Sequence, residues 1–177
     1  MIINQDNCLF LIIDIQEKLL NAVFNKESLE KKASILSKAA NLLNIPLLVT
    51  EQYPKGLGET IENLKYNAQI FVKDDFNALN NDDLLKAIKE SNRNQIIVLG
   101  IETHICVHQT VAALLAENYN ITVVSDACGS RAENEYLSAL DVMKTNGASI
   151  KTTEMILFEL LKTSKHEHFK AVQALIK

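Results

Sequence analysis

Residues 8–14, with the sequence CLFLIID, are six apolar residues followed by an aspartate. The prediction of the fold starts from this pattern. Six residues is the length of a typical strand, and an uninterrupted apolar run is typical of a strand buried on both faces. Similar short runs recur along the chain, at residues 47–49, 70–72, 95–99, 121–125 and 148–151. The sequence therefore predicts six buried strands.

Segments with helical periodicity lie between these runs. In residues 33–43 the apolar side chains follow one face of a helix, at Ile35, Leu36, Ala39, Ala40 and Leu43. Further helices are predicted from Asn80 or Asn81 to Glu90, at 103–117 and 133–145, and after residue 151. Alternating strands and helices are typical of a parallel sheet with helices on both sides. We therefore predict one α/β domain over residues 1–177, with a Rossmann-like three-layer α/β/α architecture and a six-stranded parallel sheet.

The composition is that of a globular protein, with 47% hydrophobic residues and a net charge of −4. A nucleic-acid binder needs a basic face, and no cluster of Lys and Arg stands out, so we expect no nucleic-acid partner. The longest apolar runs have six residues. A membrane span needs about 20, so we expect no contact with a membrane interior.

The first ten residues, MIINQDNCLF, lack the charged segment and long apolar stretch of a signal peptide, so we expect a cytoplasmic protein. The three cysteines, Cys8, Cys106 and Cys128, show no C-x-x-C spacing. Such a set fits a reducing compartment better than a disulfide framework. Buried packing is the simplest role for Cys8 and Cys128.

Polar side chains follow three of the predicted strands. In open parallel sheets, ligands bind beyond the carboxyl ends of the strands, where Asp14, Lys73 and Cys106 would converge. We expect the helix start around Cys106 and the charge of Lys73 to lower the pKa of the thiol. Asp14 is then a candidate general base, and the amides of the helix start could hold an oxyanion. From spacing alone, a packed structural cysteine explains the pattern equally well.

Four segments carry a resemblance to a known family: LIIDIQ (11–16), FVKDDF (71–76), VLGIETHICV (98–107) and SDACGSR (125–131). Together they resemble the isochorismatase-like cysteine hydrolase superfamily, from about Cys8 to Leu160. The stretches VTEQYPKGLGET (49–60) and TTEMILFELL (152–161) are most similar to its isochorismatase-domain-containing subgroup.

The resemblance implies a catalytic triad of Asp14 as base, Lys73 as ammonium and Cys106 as nucleophile. It also implies a cis peptide bond between Ile101 and Glu102, and an oxyanion hole formed by the amides of Glu102 and Cys106. Members of the superfamily commonly form oligomers, so we expect a homo-oligomer, a dimer or tetramer. The helix face at residues 155–161 is a candidate interface.

Two departures from the family narrow the expected activity. Nicotinamidases of this superfamily bind a metal through an aspartate and histidines located between the first and third strands. This chain has no histidine before His104, so we expect neither a metal nor another cofactor. Isochorismatases proper lack the cysteine, so the presence of Cys106 favours carbonyl chemistry through a thioester.

Other polar residues near these segments have two possible roles each. Gln16 is expected to hydrogen-bond either Asp14 or the substrate, and Tyr53 to form a pocket wall or to pack. His104 lines the substrate pocket or is solvated; with His108 it has the spacing of zinc ligands, although we expect no zinc there. Arg131 contacts an acidic substrate or a neighbouring subunit.

The sequence thus predicts a metal-independent cysteine hydrolase acting on a small amide or related acyl compound. One alternative is a catalytically silent binding or scaffold protein on the same fold. Another is a thiol redox sensor, in which Cys128 would resolve an oxidised Cys106.

Overall fold

The computed structural model describes residues 2–177 and contains six strands. They are β1 (Cys8–Ile13), β2 (Leu47–Gln52), β3 (Gln69–Lys73), β4 (Gln95–Ile101), β5 (Asn120–Gly129) and β6 (Ser149–Lys151). All pair in parallel, in the order β3-β2-β1-β4-β5-β6. Every residue of β1 and β4 is buried, as expected from their uninterrupted apolar runs.

Eight α-helices connect the strands. They are α1 (Glu17–Leu20), α2 (Lys26–Leu42), α3 (Pro54–Leu57), α4 (Asp82–Glu90), α5 (His108–Ala116), α6 (Glu133–Thr145), α7 (Thr153–Leu161) and α8 (Phe169–Leu175). Short 3₁₀ turns lie at Gln5–Asn7, Glu62–Leu64 and Ala78–Asn80. Helices α2, α7 and α8 pack together in one layer, and α5 packs against α6 in the other. The predicted three-layer fold with a six-stranded parallel sheet is confirmed.

Three of the predicted helical segments differ from the structure, and β5 extends beyond its predicted end at residue 125 to Gly129. Helix α2 begins seven residues earlier than expected, because Leu29 continues its buried stripe toward the N-terminus. The predicted helix over 103–117 is divided into a π-helical turn, Thr103–Val107, and α5. The chain after 151 is not continuously helical, since it turns at Lys162 between α7 and α8. The capping prediction for α4 is confirmed, with the Asn81 side chain accepting a hydrogen bond from the Leu84 amide.

The strand order reverses direction between β1 and β4. From this point the chain adds β2 and β3 on one side and β5 and β6 on the other. Such a switch point opens a crevice at the carboxyl ends of the two central strands. Asp14 directly follows β1, and the segment that contains Cys106 directly follows β4. No helix within residues 2–177 has both the length and the apolar character needed to cross a membrane.

Gly100 allows β1 and β4 to approach closely at this crevice. It pairs with Ile13, has a φ of 140°, and a Cβ built on it would clash with the Ile13 carbonyl. Gly147 also has a positive φ, 106°, but a Cβ there would meet nothing within 4 Å. Both glycines therefore have a backbone conformation that other residues rarely adopt. Only at Gly100 would an added Cβ also clash with a neighbouring strand.

Gly100→Ala should lower the free energy of unfolding by more than about 3 kcal/mol, because backbone strain and overpacking add. The matched control Gly147→Ala should cost only about 1–2 kcal/mol, from backbone strain alone. Urea denaturation of both variants measures the difference. Equal losses would mean that the close approach of β1 and β4 carries no steric constraint.

Candidate active site

Asp14 and Lys73 form an ion pair inside the protein. Lys73 Nζ lies 2.6 Å from Asp14 Oδ2, and the exposed fractions of the two side chains are 2% and 0%. Asp14 follows β1 and Lys73 ends β3. The two charges therefore lie at the ends of strands that are not adjacent in the sheet. Removing one partner from such a buried pair typically costs about 3–5 kcal/mol, because the other charge is left uncompensated.

Two residues of the intervening strand β2 complete the surroundings of the pair. Thr50 Oγ1 donates to Asp14 Oδ1 at 2.6 Å, and Lys73 Nζ donates to Gln52 Oε1 at 2.6 Å. The ammonium also donates to the Asp75 carbonyl at 3.2 Å. Neither Thr50 nor Gln52 was expected from the sequence. Their signal was a polar run, residues 50–52, at the carboxyl end of an apolar strand, in which positions 50 and 52 share one face.

Cys106 lies in the π-helical turn after β4, and its exposed fraction is 6%. The pKa of its thiol is raised from 9.0 to about 12; burial is the largest cause, the negative charge of Asp14 adds to the shift, and the charge of Lys73 opposes it. The thiol is therefore close enough to the ion pair to be influenced by both charges. Our expectation of a lowered thiol pKa was therefore wrong, because loss of solvation outweighs the favourable charge. At neutral pH Cys106 is a neutral thiol placed against a carboxylate.

The peptide bond between Ile101 and Glu102 is cis. The turn that follows begins with hydrogen bonds from the Ile105 and Val107 amides to the Glu102 carbonyl, at 3.0 and 3.2 Å. The Glu102 carboxylate accepts a hydrogen bond from Arg131 Nε at 2.8 Å. Arg131 therefore forms an ion pair with Glu102 of its own chain.

Gln16 is fully buried and holds two loops together. Its Nε2 donates to the carbonyls of Gln52 at 3.0 Å and Gly58 at 2.6 Å, and its Oε1 accepts from the Gln52 amide at 2.7 Å. These bonds join the start of α1 to the loop after β2. The expected hydrogen bond to Asp14 is formed by the main chain alone: the Gln16 amide donates to the Asp14 carbonyl at 2.7 Å, while the side-chain amide hydrogens are taken up by other main-chain groups.

Tyr53 lies beside Lys73 on the surface. Its amide donates to the Lys73 carbonyl at 3.0 Å, its φ is 38°, and 54% of its surface is exposed. Gly56 provides the space for its ring, since a Cβ at that position would overlap ring atoms. The main chain of Tyr53 is thus held against the end of β3, and its ring packs over Gly56.

His104 faces away from the ion pair. Its Nδ1 lies 3.0 Å from Ser130 Oγ, and with His108 and Glu135 it lines a cavity of about 180 Å³ against α6. Within residues 2–177, no group of three or more His, Cys, Asp or Glu side chains is arranged to hold a metal ion. A larger cavity, of about 650 Å³, lies between α2, residues 62–67 and Leu175, and no triad residue lines it.

Known proteins resemble this chain over nearly all of its length. The family model described as the isochorismatase domain matches residues 8–155. Isochorismatase family protein 1A of Dictyostelium discoideum is 36% identical over 178 residues, which cover 96% of this chain and 86% of that protein.

Two solved structures share the fold. One, described as the MAR1 ribonuclease of Caenorhabditis elegans, has a TM-score of 0.91 and 37% identity, covering 99% of this chain and 92% of that one. The other is the YcaC gene product of Escherichia coli, described as an octameric hydrolase of unknown specificity. It has a TM-score of 0.91 and 24% identity, over 99% of this chain and 95% of that one, and it supports the fold alone.

The charges around Cys106 predict opposite effects of two substitutions on its pKa. Lys73→Met should raise the pKa further, because the charge of Lys73 lowers it, and Asp14→Asn should lower the pKa, because the charge of Asp14 raises it. A pH titration of the thiolate ultraviolet absorbance measures both, with Cys106→Ala subtracted to remove Cys8, Cys128 and the tyrosines. Shifts in the reverse directions would contradict the geometry of the site.

Proposed function

The chain belongs to the isochorismatase-like hydrolase family, and we propose that it is a metal-independent cysteine hydrolase that acts on a small amide or related acyl compound. The proposal takes residues 1–177 as one catalytic domain with Asp14, Lys73 and Cys106 as its triad. One observation carries it: a thiol under the influence of a buried carboxylate–ammonium pair at the switch point of a parallel sheet.

Acylation of Cys106 is the first chemical step. The Sγ–H proton passes to Asp14 as sulfur forms a bond to the substrate carbonyl carbon, and the carbonyl oxygen becomes an oxyanion. The amides of Glu102 and Cys106, at the start of the π-helical turn, are the proposed oxyanion donors. When the C–N bond breaks, Asp14 returns the proton to the departing nitrogen, and a thioester remains.

Hydrolysis of the thioester uses the same carboxylate. Asp14 accepts a proton from water as the water oxygen attacks the thioester carbon. Collapse of the second tetrahedral intermediate breaks the C–S bond, and the proton passes from Asp14 to sulfur. Because the resting thiol has a raised pKa, a carboxylate in direct contact is required to remove its proton at neutral pH.

The surroundings of the triad suggest which residues meet the substrate. We assign Tyr53 to the rim of the pocket because it is exposed, its ring lies over Gly56 and its amide is bonded to the Lys73 backbone. We assign no substrate contact to Gln16, whose amide group holds the two loops. His104 is assigned to the wall between the π-helical turn and α6.

The proposal includes a cytoplasmic homo-oligomer, a dimer or tetramer. Its three cysteines are free thiols in the structure, which fits a reducing compartment. Of the predicted interface at 155–161, only Met155 and Phe158 are exposed among the apolar residues, and they share a shallow depression with Ile2. These three side chains are the candidate contact between copies.

Cys106→Ala should abolish ammonia release from the small primary amides that the wild-type protein hydrolyses, and Asp14→Asn should slow it by about 100-fold or more. Cys8→Ala is the matched control, since Cys8 is also buried, lies at the opposite end of β1 from Asp14 and should not affect turnover. Peptide mass mapping of acid-quenched samples should find the acyl group on Cys106.

Full turnover by Cys106→Ala would exclude the thioester mechanism. A folded wild-type protein that neither hydrolyses nor is acylated by any amide or activated ester of the panel would favour the scaffold alternative. A Cys106–Cys128 disulfide after mild peroxide treatment would favour the redox sensor.

The relative described as a ribonuclease makes RNA hydrolysis the second candidate activity. We expect no RNA cleavage, because the net charge is −4 and the acidic residues Asp74, Asp75 and Glu102 lie in the loops that follow the catalytic strand ends. Incubation with fluorescently labelled RNA tests this, with Cys106→Ala purified in parallel as the control. Cleavage by the wild-type protein that is lost in the variant would replace the amide proposal.

A further inference from the structure

Thr50 contacts Asp14 through both its main chain and its side chain. Its carbonyl accepts a hydrogen bond from the Asp14 amide at 3.1 Å, and its hydroxyl donates to Asp14 Oδ1 at 2.6 Å. Both residues are fully buried, so water does not compete for these bonds. Asp14 has a φ of 52°, and the paired strands β1 and β2 hold it in this left-handed conformation at the point where β1 ends.

The two oxygens of the Asp14 carboxylate have different partners. Lys73 occupies Oδ2, and its ammonium is itself held by Gln52 Oε1 and the Asp75 carbonyl. Thr50 occupies Oδ1. A carboxylate held at both oxygens by separately anchored donors does not rotate freely about its Cβ–Cγ bond. Its remaining lone pairs therefore keep a constant direction relative to the Cys106 thiol.

We propose that Thr50 is the positioning residue of the general base, fixing the plane of the Asp14 carboxylate for proton transfer from Cys106. This inference rests on the proposed base role of Asp14. Thr50 contributes no charge, and its hydroxyl bonds the general base itself, not the thiol or the substrate. Its hydroxyl acts on the rate only through the orientation of Asp14.

The pH dependence of acylation separates this role from a packing role. The probe is p-nitrophenyl acetate, which transfers its acetyl group to the thiol with release of nitrophenol. Where Asp14 removes the proton, the acylation rate is independent of pH over the neutral range. At alkaline pH the proton is removed by hydroxide, and the rate rises with pH without any help from the carboxylate.

Thr50→Val should lower the pH-independent rate by about ten-fold, the value of one hydrogen bond to a charged group, and leave the alkaline rate unchanged. Thr50→Ser, which keeps the hydroxyl, should restore the neutral rate to within about two-fold. Thr60→Val is the matched control, because Thr60 is also buried and its hydroxyl has no hydrogen-bond partner among residues 2–177. It should leave both rates unchanged.

Acylation rates are measured from about pH 6 to about pH 10, and the rate found with the Cys106→Ala protein is subtracted. Thermal unfolding first shows that each variant is folded at the assay temperature. If Thr50→Val does not fold, Thr50→Ala is compared with Thr50→Ser instead, since alanine also lacks the hydroxyl. A Thr50→Val or Thr50→Ala protein with the wild-type profile, or with both rates reduced equally, overturns the positioning role. A wild-type profile with no pH-independent region, or without acylation of Cys106, instead contradicts the base role in the proposed function.

Discussion

The burial of one carboxylate and one ammonium group is the constraint on which the rest of this site depends. Asp14 and Lys73 meet 2.6 Å apart where neither is exposed to water. Charges in such a place are tolerated only when each has a partner and hydrogen bonds to its remaining atoms. The strand order meets this requirement, since β2 lies between β1 and β3 and supplies Thr50 and Gln52 to the pair. The loop after β3 adds the Asp75 carbonyl.

The same burial determines the chemistry available to Cys106. All three cysteines have pKa values raised to about 12, with burial as the largest cause. The raised pKa therefore does not distinguish Cys106 from Cys8 or Cys128. Its neighbours do, because among the three thiols only that of Cys106 is influenced by the buried Asp14–Lys73 pair. In the proposed mechanism the site activates its thiol by proton transfer during the reaction, not by holding a thiolate in advance.

Several of the predictions made from the sequence follow directly from short-range patterns. The layered architecture was predicted from the apolar run Cys8–Ile13 and the helical spacing in residues 33–43. This was possible because burial and periodicity can be recognised from residues that are close together in the sequence. The polar residue after each strand pointed to Asp14 and Lys73, since parallel strands end at one edge of the sheet. Resemblance in four short segments then supplied the family and the pairing of these residues with Cys106.

The tertiary structure decided what depends on residues distant in sequence. Thr50, Gln52 and the two loops joined by Gln16 are separated along the chain from the groups they hold, so no local pattern shows their bonds. The direction of the pKa shift of Cys106 also required the fold, because it compares the loss of solvation with opposing charges, and each depends on distance and burial. The sequence by itself determined which reactive groups reach the crevice. Only the packing of the sheet determined their protonation and orientation, because both are set by contacts between strands.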